Sequence, residues 1–142
     1  MNLRTTIIAL TVAALAGFAA PAQADDTLYQ DLGGQAGITQ IAIDTADNFI
    51  ADDRIKATFD NTNMDRFKKL LAEQFCAVAG GPVVYTGRDM KASHKALGLT
   101  NADFNAVVED LQKALDKNGI PFATQNRLLA RLAPMQHDVV TK

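Results

Sequence analysis

The sequence predicts an all-α fold, on three observations. Apolar residues recur at intervals of three and four along most of the chain, which is the spacing of amphipathic helices. Glycine pairs and a Gly-Gly-Pro step separate these segments, as expected at helix ends. The run most typical of a strand, Val83–Tyr85, is short and has no partner run, so we interpret residues 81–88 as an ordered loop.

Periodicity and capping residues define the individual helices. A first turn, Thr27–Leu32, ends at Gly33-Gly34, and a short turn follows Asp52-Asp53. Thr100 and Asp103 resemble a capping box, with aspartate in place of the usual glutamate. The expected elements are Gly37–Ile50, the turn Arg54–Phe59, Met64–Ala79 after the N-cap Asn63, Met90–Leu97 after the N-cap Asp89, Thr100–Asn118, and a last helix that starts near Thr124 and is kinked at Pro134.

The first 24 residues are predicted to be a cleavable signal peptide. Arg4 precedes an uncharged run of apolar and small residues, Thr5–Ala20, and Ala22-Gln23-Ala24 has the A-x-A form of a cleavage site. The run is shorter than the ~20 residues that span a bilayer, although an uncleaved membrane anchor is the alternative. We therefore expect residues 25–142 to be the single domain of an exported protein, periplasmic if the source is a Gram-negative bacterium.

The charge balance of residues 25–142 argues against several classes of partner. This part carries 13 basic and 16 acidic residues, a net charge of −3, whereas nucleic-acid binding favours basic stripes. No mature segment is apolar enough to span a membrane, and no lysine-rich block indicates a membrane surface. Cys76, the single cysteine, cannot form an internal disulfide, and its apolar helical surroundings predict a buried small hydrophobe.

His94 is the strongest candidate for chemistry. The other histidine, His137, is 43 residues away, and neither has a carboxylate or cysteine at zinc-ligand spacing. A Ser-His-acid set and a phosphate-binding loop are also lacking in the sequence. Large apolar side chains surround His94, an environment in which a neutral imidazole holds the iron of a porphyrin. Spacing alone leaves open that His94 is a surface or core histidine, and His137 is expected at the surface.

Several motifs at consistent spacing give a resemblance to one known family. They are Leu32-Gly33-Gly34 with Ile38, Ala51–Ile55 leading to Phe59, Asn61–Met64, Gly80-Gly81-Pro82 with Tyr85-Thr86-Gly87, Met90–His94, Gly98-Leu99-Thr100 and Phe104. From about Leu28 to Val139 the chain resembles the group 1 truncated hemoglobins. The resemblance implies a truncated globin fold, a 2-over-2 helical sandwich around heme b (iron protoporphyrin IX), over residues 25–142.

The resemblance also implies roles for individual residues. His94 becomes the proximal ligand of the iron, and Phe59 packs on the porphyrin face. The expected pocket walls are Phe75, Met90, Leu99, Phe104 and Leu129. The candidates to meet the heme propionates are Thr62, Arg66, Lys68 and Tyr85, because propionates favour a cation or a hydroxyl donor, and each of the four is equally interpretable as a solvated surface residue.

The side of the heme opposite His94 departs from the family pattern. Group 1 proteins usually place a tyrosine and a glutamine there, and the corresponding positions here are Ala46, Phe67 and Leu71. Gln74, one turn further on, is expected to line a tunnel or face away. Because a buried donor stabilises bound dioxygen by roughly 1–3 kcal/mol, an apolar pocket predicts weakly held oxygen. The alternative of an internal sixth iron ligand rests on Met64, Lys68 and Lys69.

The function favoured by these residues is reversible binding of a diatomic gas, namely oxygen, NO or CO. An unidentified reductase is a possible partner, and we expect a monomer or weak dimer. The alternatives are a heme enzyme (an NO dioxygenase or a peroxidase), an exported electron-transfer protein, and a helical domain that has lost heme. A peroxidase requires a distal acid–base group, which is not evident, and the presence of His94 and Phe59 argues against loss of heme.

Overall fold

The computed structural model of the chain describes residues 27–142, so the expected signal peptide lies outside the described residues. All regular structure within 27–142 is helical. The helices are α1 Thr27–Asp31, α2 Gly34–Ala51, α3 Met64–Val78, α4 Met90–His94, α5 Asn101–Lys117, α6 Phe122–Leu132 and α7 Gln136–Val139, with 3₁₀ turns at Lys56–Phe59 and Ala133–Met135. No helix in this range combines the length and hydropathy needed to cross a bilayer.

Helix α2 is the central element of the core. It packs on both α3 and α5, and α6 contacts each of these two helices in turn. The apolar stripe predicted for this helix is confirmed, because its residues are almost wholly inaccessible to solvent: Ile38, Ile41, Ala42, Thr45, Ala46 and Phe49. Cys76 is buried as expected and is a free thiol. The core therefore lies around α2, and the shorter helix α4 stands outside it.

Helix α2 begins at Gly34, three residues before the predicted start. Gly33 and Gly34 both have positive φ, 87° and 62°, so the glycine pair makes a left-handed turn and the next helix starts at once. Gly37 is needed for a different reason, since a Cβ at this position would collide with the carbonyl oxygen of Leu32. The glycines that end α1 thus also begin α2.

The predicted N-caps are confirmed. The side chain of Asn63 accepts a hydrogen bond from the amide of Arg66 at 3.0 Å, and that of Asp89 accepts from Ala92 at 2.7 Å. Thr100 and Asp103 form a complete capping box at the start of α5. These bonds satisfy amide groups that have no partner within their own helix.

Helix α4 and the last predicted helix also differ from the predicted bounds. Helix α4 ends at His94 and not at Leu97, because a tight turn, with the amide of Leu97 donating to the carbonyl of His94, leads to Gly98 at φ 61°. The last helix is interrupted as predicted near Pro134, and the break takes the form of the 3₁₀ turn Ala133–Met135. The separate helix α7 that results was not predicted.

A candidate cofactor site at helix α4

His94 is the last residue of α4 and is half-buried. Its Nδ1 lies 2.7 Å from the carbonyl oxygen of Met90, one turn earlier. A carbonyl only accepts hydrogen bonds, so Nδ1 carries the proton and donates, and Nε2 of the neutral ring keeps its lone pair. Within residues 27–142 no group pairs with Nε2. This is the arrangement that orients an imidazole for a metal.

The loop before α4 is anchored to α3. The backbone amide and the hydroxyl of Thr86 both donate to the carboxylate of Glu73, at 3.0 and 2.6 Å. These bonds hold the pKa of Glu73 below its ordinary value. The hydroxyl of Tyr85 donates to the carbonyl of Arg88 at 2.8 Å, which tightens the turn that leads into the helix. The loop therefore ties the chain before α4 to α3.

The residues expected to form apolar walls are buried or half-buried, and two of them form an aromatic cluster with the core. Phe59 and Phe67 are half-buried and in contact, with ring centroids 5.3 Å apart, and both contact the buried ring of Phe49. The rings are thus supported from behind by the core. The predicted wall residues divide between buried Phe75 and half-buried Met90, Leu99, Phe104 and Leu129, and Met64, the alternative iron ligand, is also half-buried.

Where α2 crosses α3, the positions expected on the distal side offer no free donor. Ala46 is fully buried and Leu71 is 9% exposed. The neighbouring hydroxyl of Thr45 is also fully buried, but it donates to the carbonyl of Ile41 at 2.7 Å. A hydroxyl has a single proton, so the proton of Thr45 is committed to its own helix.

Gln74 is directed towards α4 and the C-terminal part of the chain. Its side-chain nitrogen lies 3.2 Å from the sulfur of Met90 and 3.4 Å from the sulfur of Met135. Both amide hydrogens are therefore used in weak N–H···S contacts. Gln74 lines a surface cavity of about 350 Å³ together with both methionines. The expectation from the sequence was that it lines a tunnel or faces away.

The four residues expected to meet the heme propionates have different surroundings. Lys68 is paired with Asp47 of α2 at 2.6 Å, so its charge is already matched on the side of α3 that faces α2. The Tyr85 proton is used by the loop, and burial raises the pKa of this hydroxyl. Thr62 is half-buried, whereas Arg66 is exposed, and its guanidinium pairs with no acidic group among residues 27–142. Arg66 is the cation of the set that is available to an external anion.

The residues present fit an iron porphyrin. A half-buried imidazole offers an unpaired nitrogen, half-buried aromatic and aliphatic side chains offer apolar walls, and Arg66 is an unpaired cation for a carboxylate. Met135 and α7 lie next to α4 and were not among the residues predicted for the site. The sequence did contain one indication, since Pro134 predicts an interruption of the last helix, after which the chain changes direction.

Comparisons with known proteins agree with this arrangement. The bacterial-like globin family matches residues 27–141. A group 1 truncated hemoglobin of Mycolicibacterium paratuberculosis is 32% identical over 115 residues, which cover 81% of this chain and 85% of the relative. The similarity therefore extends over nearly the whole described part of the chain.

Two solved structures support the same assignment. The truncated hemoglobin of Tetrahymena pyriformis in its Fe(III) form has a TM-score of 0.78 at 30% identity, covering 81% of this chain and 98% of that one. The 2/2 hemoglobin of Synechococcus, with covalently attached heme, has a TM-score of 0.74 at 27% identity and the same coverage. The predicted truncated globin fold is confirmed. The chain belongs to the bacterial-like globins and, within them, to the group 1 truncated hemoglobins.

Proposed function

We propose that this chain holds heme b through Nε2 of His94 and reversibly binds a diatomic gas on the other side of the heme. The observation that carries the proposal is the bond from Nδ1 of His94 to the Met90 carbonyl, because it fixes the tautomer and leaves Nε2 unpaired. Ferrous heme supplies the open coordination position at which oxygen, NO or CO binds. The protein's own residues orient the imidazole, exclude water through apolar walls and balance the charge of the propionates.

Substitution of His94 tests this directly. The absorption spectrum of the wild-type protein is recorded in the ferric, ferrous and CO-bound states, and again for His94→Gly with and without added imidazole. We expect the variant to lose the proximal-ligand signature and to regain it with imidazole. His137→Ala is the matched control, since His137 has a 78% exposed side chain. An unchanged spectrum in His94→Gly contradicts the proposal, whereas a six-coordinate ferrous spectrum of the wild type favours electron transfer over gas binding.

We further propose that the distal side is apolar, formed by Ala46, Phe67 and Leu71. The commitment of the Thr45 proton to Ile41 supports this, because it removes the nearest buried hydroxyl from the pocket. Oxygen is then held without the roughly 1–3 kcal/mol that a buried donor adds, while NO and CO depend less on such a donor. The test is the oxygen dissociation rate of the ferrous protein measured by CO displacement. Dissociation as slow as in relatives with a distal tyrosine contradicts an apolar pocket.

We also propose that residues 1–24 direct export and are removed. The support is the sequence alone, namely the short apolar run and the A-x-A site before Asp25. Expression of the full chain in a Gram-negative host, followed by cell fractionation and N-terminal sequencing, should give a periplasmic protein that begins at Asp25. Replacing Ala24 with a bulky residue should block the cleavage. A mature protein that retains residue 1 in the cytoplasm contradicts the proposal.

A further inference from the structure

Helix α4 is too short to hold its own conformation. It has five residues, and isolated helices of fewer than ~12–15 residues are marginal in water. Its orientation therefore depends on contacts with the rest of the molecule. Among the helices of residues 27–142, α7 is the only one that packs extensively on α4. The element that carries His94 thus rests on the C-terminal end of the chain.

Hydrogen bonds reinforce this packing immediately after α4. The backbone amides of Thr141 and Lys142 both donate to the carbonyl oxygen of Leu99, at 2.9 and 3.1 Å. The side chain of Lys142 also lies against Gly98, since a Cβ placed there would be 2.9 Å from its Cε. The end of the chain is consequently fastened to the turn that links His94 to α5.

A second connection lies on the other side of His94. The sulfur of Met135, in the 3₁₀ turn just before α7, shares the side-chain amide of Gln74 with the sulfur of Met90. Met90 also provides the carbonyl that accepts from Nδ1 of His94. Residues 135–142 therefore contact the surroundings of His94 at both ends of α4, through Gln74 before it and through Leu99 after it.

We propose that the segment 136–142, the C-terminal clasp, is a positioning element that sets the orientation of the His94 imidazole. This inference rests on the proposed role of His94 as the iron ligand. The clasp acts on His94 through other residues, by the bonds from the backbone amides of residues 141 and 142 to Leu99 and by the packing of α7 on α4. Loosening it lets α4 tilt, which weakens the proximal bond and speeds the loss of heme.

The test removes residues 140–142 by a stop codon and compares the heme-loaded protein with wild type. Three measurements are made: amide hydrogen exchange in α4 and α5, the iron–histidine stretching band of the ferrous form in resonance Raman, and heme transfer to excess apomyoglobin. We expect faster exchange in α4 with α5 unchanged, a shifted stretching band, and heme transfer accelerated by about tenfold to a hundredfold, the scale of losing two net hydrogen bonds. Thr141→Ala is the matched control, because it keeps both backbone amides and should behave as wild type.

The outcomes separate this inference from the proposed function. The clasp proposal is overturned if the shortened protein matches wild type in its stretching frequency, its heme transfer and the exchange of α4. Equal acceleration of exchange in α4 and α5 also overturns it, since that result means general destabilisation. Absence of an iron–histidine band in the wild type itself refutes the role of His94, while faster exchange confined to α4 in the shortened protein still supports the mechanical role of the clasp.

Discussion

At the scale of single residues, the proposal of an apolar distal side is tested most directly at Leu71, which is buried on α3. Replacing Leu71 with glutamine places an N–H donor at nearly the same volume on α3. We expect oxygen dissociation to slow by about tenfold or more, since a net hydrogen bond is worth about 1.4 kcal/mol on this scale. The measurement is stopped-flow displacement of oxygen by CO.

Leu71→Met is the control for Leu71→Gln, because it changes shape slightly and adds no donor. Its oxygen dissociation should stay close to wild type, and CO dissociation should change little in either variant. If the glutamine variant releases oxygen as fast as the methionine variant does, Leu71 does not face the bound gas.

Sequence motifs indicate which residues belong to the candidate site, but they do not show which groups those residues contact. His94 was identified from the motif that carries it, and the structure adds the Met90 carbonyl that fixes its ring. Residue type alone did not show which cation, Lys68 or Arg66, is available to a heme propionate. The difference is tertiary, because Lys68 meets Asp47 on the neighbouring helix, and no local pattern reports which helix will lie alongside.

At the scale of elements, the junction of α1 and α2 depends on a missing side chain at Gly37. A Cβ there would collide with the Leu32 carbonyl oxygen, which is rigid backbone. Gly37→Ala should destabilise the protein by about 1–3 kcal/mol in urea unfolding, the scale of overpacking, despite alanine's better helix propensity. Gly119→Ala is the comparison: it has φ 67° with open space around it, so it should cost only about 1 kcal/mol. An unchanged midpoint for Gly37→Ala contradicts the steric argument.

The capping box of α5 gives a stability contribution that depends on pH. Bonds from the backbone amide and hydroxyl of Thr100 lower the pKa of Asp103, relative to about 3.9 in the unfolded chain. This contribution is complete above about pH 4 and is lost as pH falls through the lower folded pKa. Asp103→Ala should cost about 1 kcal/mol at pH 7 and less at pH 3, as followed by far-UV circular dichroism in urea. Asp103→Asn keeps an acceptor oxygen, so it should lose less unfolding free energy. If the loss in Asp103→Ala does not vary with pH, the carboxylate charge has no role in the capping box.

Helix ends show why elements are predicted better than their bounds. The stripe of α2 and the caps of α3, α4 and α5 are local patterns, and they are confirmed. The end of α4 and the presence of α7 depend on contacts between distant parts of the chain. The amides of Thr141 and Lys142 bind Leu99 some forty residues earlier in the sequence, and the periodicity of either segment contains no trace of that pairing.

At the scale of the whole molecule, polar contacts tie α2 to both of its neighbours around an apolar core. Asp44 and Asn48 reach α5, since Asp44 pairs with Lys117 and the side chain of Asn48 donates to the Asp110 carbonyl at 2.9 Å. Asp47 reaches α3 through Lys68. The apolar stripe supplies the burial, and these directional contacts fix how the helices are rotated against one another.

Asp44 should make the stability of the whole fold decline in acid. Burial by itself raises the pKa of this carboxyl, but hydrogen bonds from Lys117, Asn118 and Gln40 outweigh it, so the pKa lies below its ordinary value. The stabilisation is therefore complete above the unfolded pKa of about 3.9 and disappears as pH falls through the folded pKa. Asp44→Asn turns an amide donor towards Asn118 or Lys117 and should cost about 1–3 kcal/mol at pH 7, with the gap to wild type closing towards pH 3. The control is Asp53→Asn, at a side chain that is 87% exposed, and it should leave urea unfolding unchanged at both pH values. If the difference in unfolding free energy between Asp44→Asn and wild type persists in acid, the charge of Asp44 does not join α2 to α5.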